Sequence, residues 1–327
     1  MPAVLDAPDA AAWDLRAKCN YLNALVLARD DRYGLAWGHE VVGFMHPGLV
    51  RLTGKKPPAR RDAVLKALKN GWNTELLLSF PLDHDDLVQP ANHWAAVQAY
   101  YAVFSITRAW LLCGAGPERQ THHAHLKVLG DTLTGASYVP FPLNVACARW
   151  HRGGADVTGL SNEFVPQIDF VPTRRPRTQT YEQYVFSALR STRAHQNEAK
   201  RADWLRANPG KQRRSPALVR QHDAEISATT VVDLLYEMRL QANYRDVEPF
   251  TSDGLSADDP RRFLQYLAAV VSTLNFVFEN LVSARVGASA MEHTLREVRG
   301  PHVAPNRGPF ARADLWFRPA NLSASEE

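Results

Sequence analysis

Apolar residues recur at steps of three and four along most of this chain, a spacing typical of helices with one buried face. Runs in which apolar and polar residues alternate, as they do in half-buried strands, are scarce. The predicted helices cover residues 12–29, 61–80, 92–112, 180–206, 231–244 and 259–285. The pattern therefore predicts a mostly α-helical protein.

The helix predicted over residues 92–112 is apolar on two neighbouring faces. A helix that is apolar on two sides is covered on both, so we expect it in the middle of the protein. The first face consists of Trp94, Val97, Tyr101, Phe104 and Leu111, and the second of Tyr100, Val103, Ile106 and Trp110.

Gly and Pro residues interrupt the helical pattern and suggest how the chain is divided. We predict an N-terminal helical extension over residues 1–58, which ends in Gly-Lys-Lys-Pro-Pro. Residues 134–227 are predicted to form an insertion of loops, a short hairpin and a basic helix. Residues 287–327 are predicted to be a weakly ordered tail, which the apolar string Leu315-Trp-Phe attaches to the rest.

The basic residues are concentrated in the insertion. Residues 174–220 contain twelve Lys or Arg and three acidic residues, a net charge of +9 in 47 residues, whereas the whole chain carries +4 and the remainder therefore −5. Such a segment is typical of a surface that contacts phosphate groups. Arg174, Arg175, Arg213 and Arg214 are the candidate substrate-binding residues, and a solvated segment without a ligand is the alternative.

Cysteine use and hydropathy set the expected compartment. Cys19, Cys113 and Cys147 are widely spaced and form no Cys-x-x-Cys pair, which favours a reducing compartment, the cytoplasm by default. No uninterrupted apolar run has the length of a membrane span, and the acidic, Pro-containing N-terminus does not resemble a signal peptide. We expect no membrane partner.

Two polar strings, Asp83-His-Asp-Asp and Thr121-His-His-Ala-His, contain residue types that bind metals. Adjacent residues of a regular element point in different directions, and clustered Asp residues favour helix caps and turns. No set of possible ligands has the spacing of a known metal site. We predict no metal and no other cofactor, and metal-dependent hydrolysis by Asp83 with His122 and His123 is the alternative.

Four segments in order resemble the HEPN superfamily, an all-α domain. Tyr100-Tyr-Ala-Val-Phe resembles the Tyr-Tyr-Ala-Met-Phe string of that family, and Thr121-His-His-Ala-His-Leu resembles its Thr-His-Lys segment. The string Leu235-Tyr-Glu-Met-Arg-Leu-Gln-Ala-Asn-Tyr resembles the family's Leu-x-x-x-Arg-x-x-Ala-Asp-Tyr helix. The helix predicted over residues 259–285 stands where the last family helix belongs.

The resemblance implies a particular fold for the two helical parts of the chain. Residues 59–133 and 228–286 would form the two halves of an antiparallel bundle of four to five helices, which usually dimerises. Residues 134–227 would be a long insertion between these halves. The implied partners are RNA and a second copy of the chain, with an antitoxin or another partner protein as a further candidate.

The resemblance also implies a chemistry. Many HEPN proteins are metal-independent endoribonucleases that use an Arg and a His separated by four to six residues. Arg239 occupies the Arg position, whereas Tyr244, Arg245 and Asp246 occupy the places of the His. An Arg can clamp a phosphate, but a Tyr with a pKa near 10 is a poor general base at pH 7.

Helical spacing places Tyr236, Arg239, Asn243 and Asp246 on one face, a candidate phosphate-binding groove. On this helix we assign Arg239, Asn243 and Tyr244 as candidate catalytic residues and Tyr236 as a substrate-binding residue. The structural alternative is that Arg239 pairs with Asp246 or Asp233 and only orients the bundle.

Two functions follow from these assignments. The first is a HEPN-like RNA-binding protein, with metal-independent endoribonuclease activity as a toxin or defence effector if Arg239 clamps the scissile phosphate. The second is a non-catalytic helical module that dimerises or binds a partner protein and has lost the active-site His. The sequence leaves both open.

Overall fold

A computed structural model describes most of the chain. The described residues are 7–34, 36–115, 121–133, 136–147, 157–158, 181–245, 258–298 and 307–318. The helices are α1 (Ala7–Tyr33), α2 (Trp37–Thr53), α3 (Arg61–Ser79), α4 (Asp85–Trp110), α5 (His122–Leu133), α6 (Tyr181–Ala207), α7 (Pro216–Glu225), α8 (Val231–Leu240), α9 (Asp258–Val286), α10 (Ala288–Val298) and α11 (Pro309–Arg312).

Shorter elements connect or end these helices. They are the 3₁₀ turns Phe80–Asp83 and Ala313–Leu315, the π-helical turns Leu111–Ala115 and Gln241–Arg245, and the antiparallel two-residue strands β1 (Ala146–Cys147) and β2 (Val157–Thr158). The predicted all-α character is confirmed, and the predicted hairpin in the insertion is this short strand pair.

Helix α9 is the centre of the core. It packs against α1, α2, α3 and α4, and every residue from 273 to 284 is buried. Among the described helices, α9 is long and apolar enough to cross a membrane, but 83% of its most apolar window is buried inside the protein. Its apolar surface is therefore used for contacts with the surrounding helices.

Helix α4 packs against α3, α8 and α9. Burial was predicted for two of its faces and is confirmed for one of them. The face that contains Tyr100 and Trp110 is buried as predicted. On the other face Tyr101 is half-buried and Trp94 is 52% exposed. The prediction for Trp94 is wrong, because the elements around α4 leave that part of the face open.

Helix α2 lies in the predicted N-terminal helical extension, in a stretch where no individual helix was predicted. Its Gly residues and the internal Pro47 interrupt the helical pattern in the sequence. Gly48 is buried against Tyr138, where a Cβ atom would lie 2.3 Å from the ring carbon Cγ. The glycine that weakens the helical pattern therefore permits close packing of α2.

The C-terminal segment is more ordered than predicted. Helix α10 occupies part of the expected weakly ordered tail, so that prediction is wrong for this part. The predicted attachment is confirmed, because Trp316 and Phe317 are buried and Trp316 stacks on Trp72 with ring centroids 5.4 Å apart. The buried guanidinium of Arg312 binds the carboxylates of Glu75 and Glu279 beside this stack.

One arginine anchors the insertion. Arg193 is 0% exposed and donates to the Asp223 carboxylate and to the backbone carbonyls of Cys147 and Ser227. The side chain thereby connects α6 with α7, β1 and the segment before α8, and it is a second donor to the Cys147 carbonyl, which also accepts from the Thr229 amide. The predicted basic helix is confirmed as α6, whereas α7, which begins at Pro216, was not predicted.

Candidate functional site

Three helices bring aromatic and basic side chains together at the start of α5. We call this cluster the Arg239 site. Helix α4 packs against α8, and α5 begins beside both of them, so its first two side chains face the cluster. The members of the Arg239 site are Tyr100 and Tyr101 on α4, His122 and His123 on α5, and Tyr236 and Arg239 on α8.

Arg239 lies among three tyrosine rings. Its Cζ atom is 5.1 Å from the ring centroid of Tyr101, 5.6 Å from that of Tyr100 and 5.7 Å from that of Tyr236. Its Nη2 atom donates to the Tyr101 hydroxyl at 3.1 Å. The residue is only 6% exposed, so the positive charge is stabilised at the base of the site by ring faces as well as by hydrogen bonding.

His122 is held beside this guanidinium. Its Nδ1 atom lies 2.8 Å from the hydroxyl oxygen of Tyr100, and its ring packs 4.9 Å from that of Phe104. Burial lowers the pKa of His122, and the positive charges of Arg239 and His123 lower it further. The imidazole is therefore neutral near pH 7, the form that can accept a proton.

Tyr100 sets the orientation of His122. The phenol is fully buried, and burial raises the pKa of Tyr100 far above its usual value, so the hydroxyl keeps its proton. When His122 donates from Nδ1 to this oxygen, its Nε2 atom carries the lone pair. When the hydroxyl donates instead, Nε2 carries the proton.

The other two histidines of α5 have different surroundings. His123 is exposed at the rim, and its Nδ1 atom is 3.5 Å from the Tyr236 hydroxyl, a long contact. His125 is buried, and its Nε2 atom is 2.9 Å from Oγ1 of Thr107. Burial lowers the pKa of His125 to about 4, so it is a neutral core residue rather than part of the site.

The structure brings Arg239 and Tyr236 together as predicted but changes the rest of the predicted groove. Asn243 and Tyr244 lie in the π-helical turn Gln241–Arg245, where the wider turn shifts the regular three- and four-residue spacing. The stripe predicted as a regular helix face therefore ends with α8. Asn243 is half-buried, and the side chain of Tyr244 and all of Asp246 lie outside the described residues.

The predicted pair between Arg239 and Asp233 is not formed. The Asp233 carboxylate accepts instead from the backbone and hydroxyl of Thr230, as a helix cap, and from Gln196. Thr230 is thus the N-cap of α8. Burial raises the pKa of Asp233 to about 6.

The candidate substrate-binding arginines of the insertion do not join the Arg239 site. Helix α6 runs antiparallel to α8. The Gln196 amide donates to Asp233 near the start of α8, whereas Ala188, earlier on α6, lines a crevice with Gln241, which follows the end of α8. Arg214 donates to His222 at 2.8 Å and to the carbonyl of Asn197, so it lies towards the start of α8. Arg213, next to it, is exposed, whereas Arg174 and Arg175 lie outside the described residues.

Several basic side chains of the insertion are already paired. Lys200 binds Glu225 at 2.7 Å, Arg201 binds Glu198 at 2.9 Å, and Arg206 binds Asp203. Together with the burial of Arg193, these pairs reduce the positive surface that the net charge of +9 suggested.

The metal alternative is not supported by the placement of its residues. Asp83 forms an ion pair with Arg307, and Asp85 forms one with Arg261, whereas His122 faces Tyr100. Within the described residues, no three His, Cys, Asp or Glu side chains are grouped so that they could hold a metal ion.

Comparison with protein-family models, curated proteins and solved structures gives no match for this chain. The Arg239 site combines a buried cation, a neutral imidazole and phenol hydroxyls within one cluster, a combination suited to an anionic substrate that must lose and regain a proton.

The histidine of the site was not predicted, because it comes from a different helix. The expected position of the His on α8 holds Tyr244, whereas the imidazole beside Arg239 comes from α5, more than a hundred residues earlier in the chain. The signal that could have found it is the Thr121-His-His string, which the family resemblance places next to the aromatic helix.

Proposed function

We propose that this protein is a HEPN-like RNA-binding protein that cleaves single-stranded RNA at the Arg239 site without a metal ion. The observation that carries the proposal is the convergence of Arg239 with His122, whose pKa is lowered by burial and by the arginine. In this proposal His122 takes the place of the His that is missing from α8.

The proposed chemistry uses the nucleophile that RNA carries. The Nε2 atom of His122 takes the proton of the 2′-hydroxyl, whose oxygen attacks the adjacent phosphorus. The bond from phosphorus to the 5′-oxygen breaks, and the leaving oxygen takes a proton from water or from His123 at the rim. The products are a 2′,3′-cyclic phosphate and a 5′-hydroxyl.

Arg239 and the tyrosines have supporting roles in this reaction. The guanidinium stabilises the charge that grows on the phosphoryl oxygens, and its position among the rings fixes it before substrate binds. Tyr100 is a positioning residue, because donation from Nδ1 of His122 to its oxygen leaves Nε2 unprotonated. Base catalysis by a positioned side chain typically contributes about 10²–10⁴-fold to the rate.

The helix contacts support a HEPN-like bundle. The strings that resemble the family lie on α4, α5 and α8, and these helices meet at the Arg239 site, while α4 also packs on α3 and α9. A homodimer and a cytoplasmic toxin or defence role remain parts of the proposal that follow from the resemblance.

A non-catalytic interaction module is the second candidate. Two observations favour it: Arg239 is only 6% exposed, and Leu77, Phe80, Leu87 and Trp94 leave apolar surface exposed on α3, α4 and the turn between them. Such surface is common where a partner protein binds.

One assay distinguishes the two candidates. Labelled single-stranded RNA is incubated with the purified protein and EDTA, beside the variant Arg239→Gln. Cleavage that survives EDTA and is lost in the variant supports the proposed nuclease. Binding without cleavage by the wild type supports an RNA-binding protein that has lost activity, and no binding at low salt contradicts both RNA functions.

A further inference from the structure

One side of α4 leads from solvent to the Arg239 site. Leu87, Trp94, Tyr101 and Arg108 follow one another at intervals of seven residues, so they lie along one side of the helix with only a small drift. Trp94 is 52% exposed, and among the tryptophans whose side chains are described it is the only exposed one. Arg108, at the other end of the row, is exposed as well.

Helix geometry gives the distance between the two aromatic residues. Seven residues of α-helix span about 10 Å along the axis, so the Trp94 backbone lies about two turns from that of Tyr101. Tyr101 accepts from Arg239 and its ring packs 5.9 Å from that of His122. A strand whose phosphate lies at the Arg239 site can therefore extend a neighbouring nucleotide to Trp94.

We infer that Trp94 is a stacking platform for an unpaired base of the RNA strand whose phosphate occupies the Arg239 site. The inference rests on the proposed function and adds the substrate class and a specificity-determining residue. An exposed indole offers a large π face to a base, and every base can stack on it, so the platform is tolerant of sequence.

The same geometry selects single strands. A base that stacks on Trp94 must be unstacked from its neighbours and unpaired, which a duplex does not allow. Arg108 in the row and Arg239, which donates to Tyr101, have the sign that a phosphate backbone requires. The His93 ring packs beside the indole with the two ring centroids 4.8 Å apart, and the remaining exposed surface of Trp94 is what a base would contact.

The test compares Trp94→Ala and Trp94→Phe with the wild type, and uses Phe44→Ala as a matched control. Phe44 is 46% exposed on α2, away from the row. Binding of a labelled single-stranded RNA is measured by fluorescence anisotropy under conditions where cleavage is blocked by a 2′-deoxy nucleotide. We expect Trp94→Ala to weaken binding at least about fivefold, as loss of one base–aromatic stack does, while Trp94→Phe keeps most of the affinity and Phe44→Ala changes nothing.

A scan with single abasic nucleotides makes the test specific. In the wild type, one abasic position should weaken binding by the same factor as Trp94→Ala. In Trp94→Ala, that position should have no additional effect, because the base has lost its platform. Duplex RNA of the same sequence should bind more weakly than the single strand.

The outcomes separate this inference from the function on which it rests. If Trp94→Ala binds as well as the wild type while Arg239→Gln does not, the platform is wrong and the RNA function stands. If the wild type binds no RNA, the proposed function itself fails. If Trp94→Ala dissociates a dimer in sedimentation and no abasic position matters, the face is a subunit interface and the inference is overturned.

Discussion

The Nδ1 atom of His122 lies 2.8 Å from the hydroxyl oxygen of Tyr100, and this contact fixes the ring that we propose as the general base. Tyr100 is fully buried on α4, so its hydroxyl has a defined position. The variant Tyr100→Phe removes the hydroxyl that His122 contacts and keeps the ring, so it creates no large cavity. A hydrogen bond is worth about 1 kcal/mol, so cleavage should slow about fivefold or more while the fold is kept.

Single-turnover cleavage and a thermal unfolding curve check this prediction together. Phe104→Leu is the matched control, because it changes the ring packing of His122 and leaves the hydrogen bond to Tyr100 in place. Equal rates for Tyr100→Phe and the wild type would show that the contact has no part in the reaction.

Arg239 should control the protonation of His122. Burial lowers the pKa of His122 first, and the charge of Arg239 lowers it next. The variant Arg239→Gln removes the charge, so the pKa of His122 should rise towards its usual value near 6.5. An NMR titration of the imidazole measures this directly, with exposed His293 as an internal reference, and an unchanged or lower pKa in the variant would contradict the arrangement.

His125 should make stability depend on pH. Its pKa is about 4 in the folded protein because of burial, whereas in the unfolded chain it returns to about 6.5. The unfolded state therefore takes up a proton at a pH where the folded state does not. The free energy of unfolding should fall as the pH falls from about 6.5 towards 4, and the loss from pH 7 to pH 5 is about 2 kcal/mol from this residue.

Urea unfolding at the two pH values measures that loss. In His125→Asn the same change of pH should cost about 2 kcal/mol less than in the wild type. Substitution of the exposed His84 is the control and should leave the pH dependence as it is. Identical pH dependence in His125→Asn would disprove the assignment of His125 as a neutral buried residue.

Arg312 should be essential for the attachment of the C-terminal segment. Its guanidinium is buried between Glu75 and Glu279, and Arg312→Met would leave two carboxylates buried without their cation. Removing one partner of a buried ion pair typically costs about 3–5 kcal/mol. The comparable variant Arg307→Met breaks a partly exposed pair with Asp83 and should cost about 1 kcal/mol or less. Chemical unfolding measures the loss in the free energy of unfolding of each variant. Similar losses in the two variants would contradict the proposed attachment.

Local patterns predicted the helices well where the apolar spacing was regular. The apolar residues of α8 and the longer row of apolar residues in α9 indicated these two helices. Helix α2 was missed because its Gly residues and Pro47 weaken the helical pattern, although contacts such as that of Gly48 with Tyr138 explain them. A single sequence contains no information on such packing partners.

Only the residues of the site that share one helix could be predicted from the sequence. Arg239 and Tyr236 stand on one helix, three residues apart, so helical spacing alone is enough to bring them together. His122 comes from another helix, and the π-helical turn Gln241–Arg245 changes the register of Asn243, so neither could be placed by periodicity along α8. Exposure of Trp94 likewise depends on which neighbours pack beside α4.

The most direct test of the proposed function is single-turnover cleavage of single-stranded RNA in EDTA by the wild type and by His122→Ala. We predict a 2′,3′-cyclic phosphate product from the wild type, a rate lowered about 10²-fold or more in His122→Ala, and partial recovery when imidazole is added. A substrate with 2′-deoxy at the cleaved nucleotide should not react. Cleavage of that substrate, or an unchanged rate in His122→Ala, would contradict the proposed role of His122 beside Arg239.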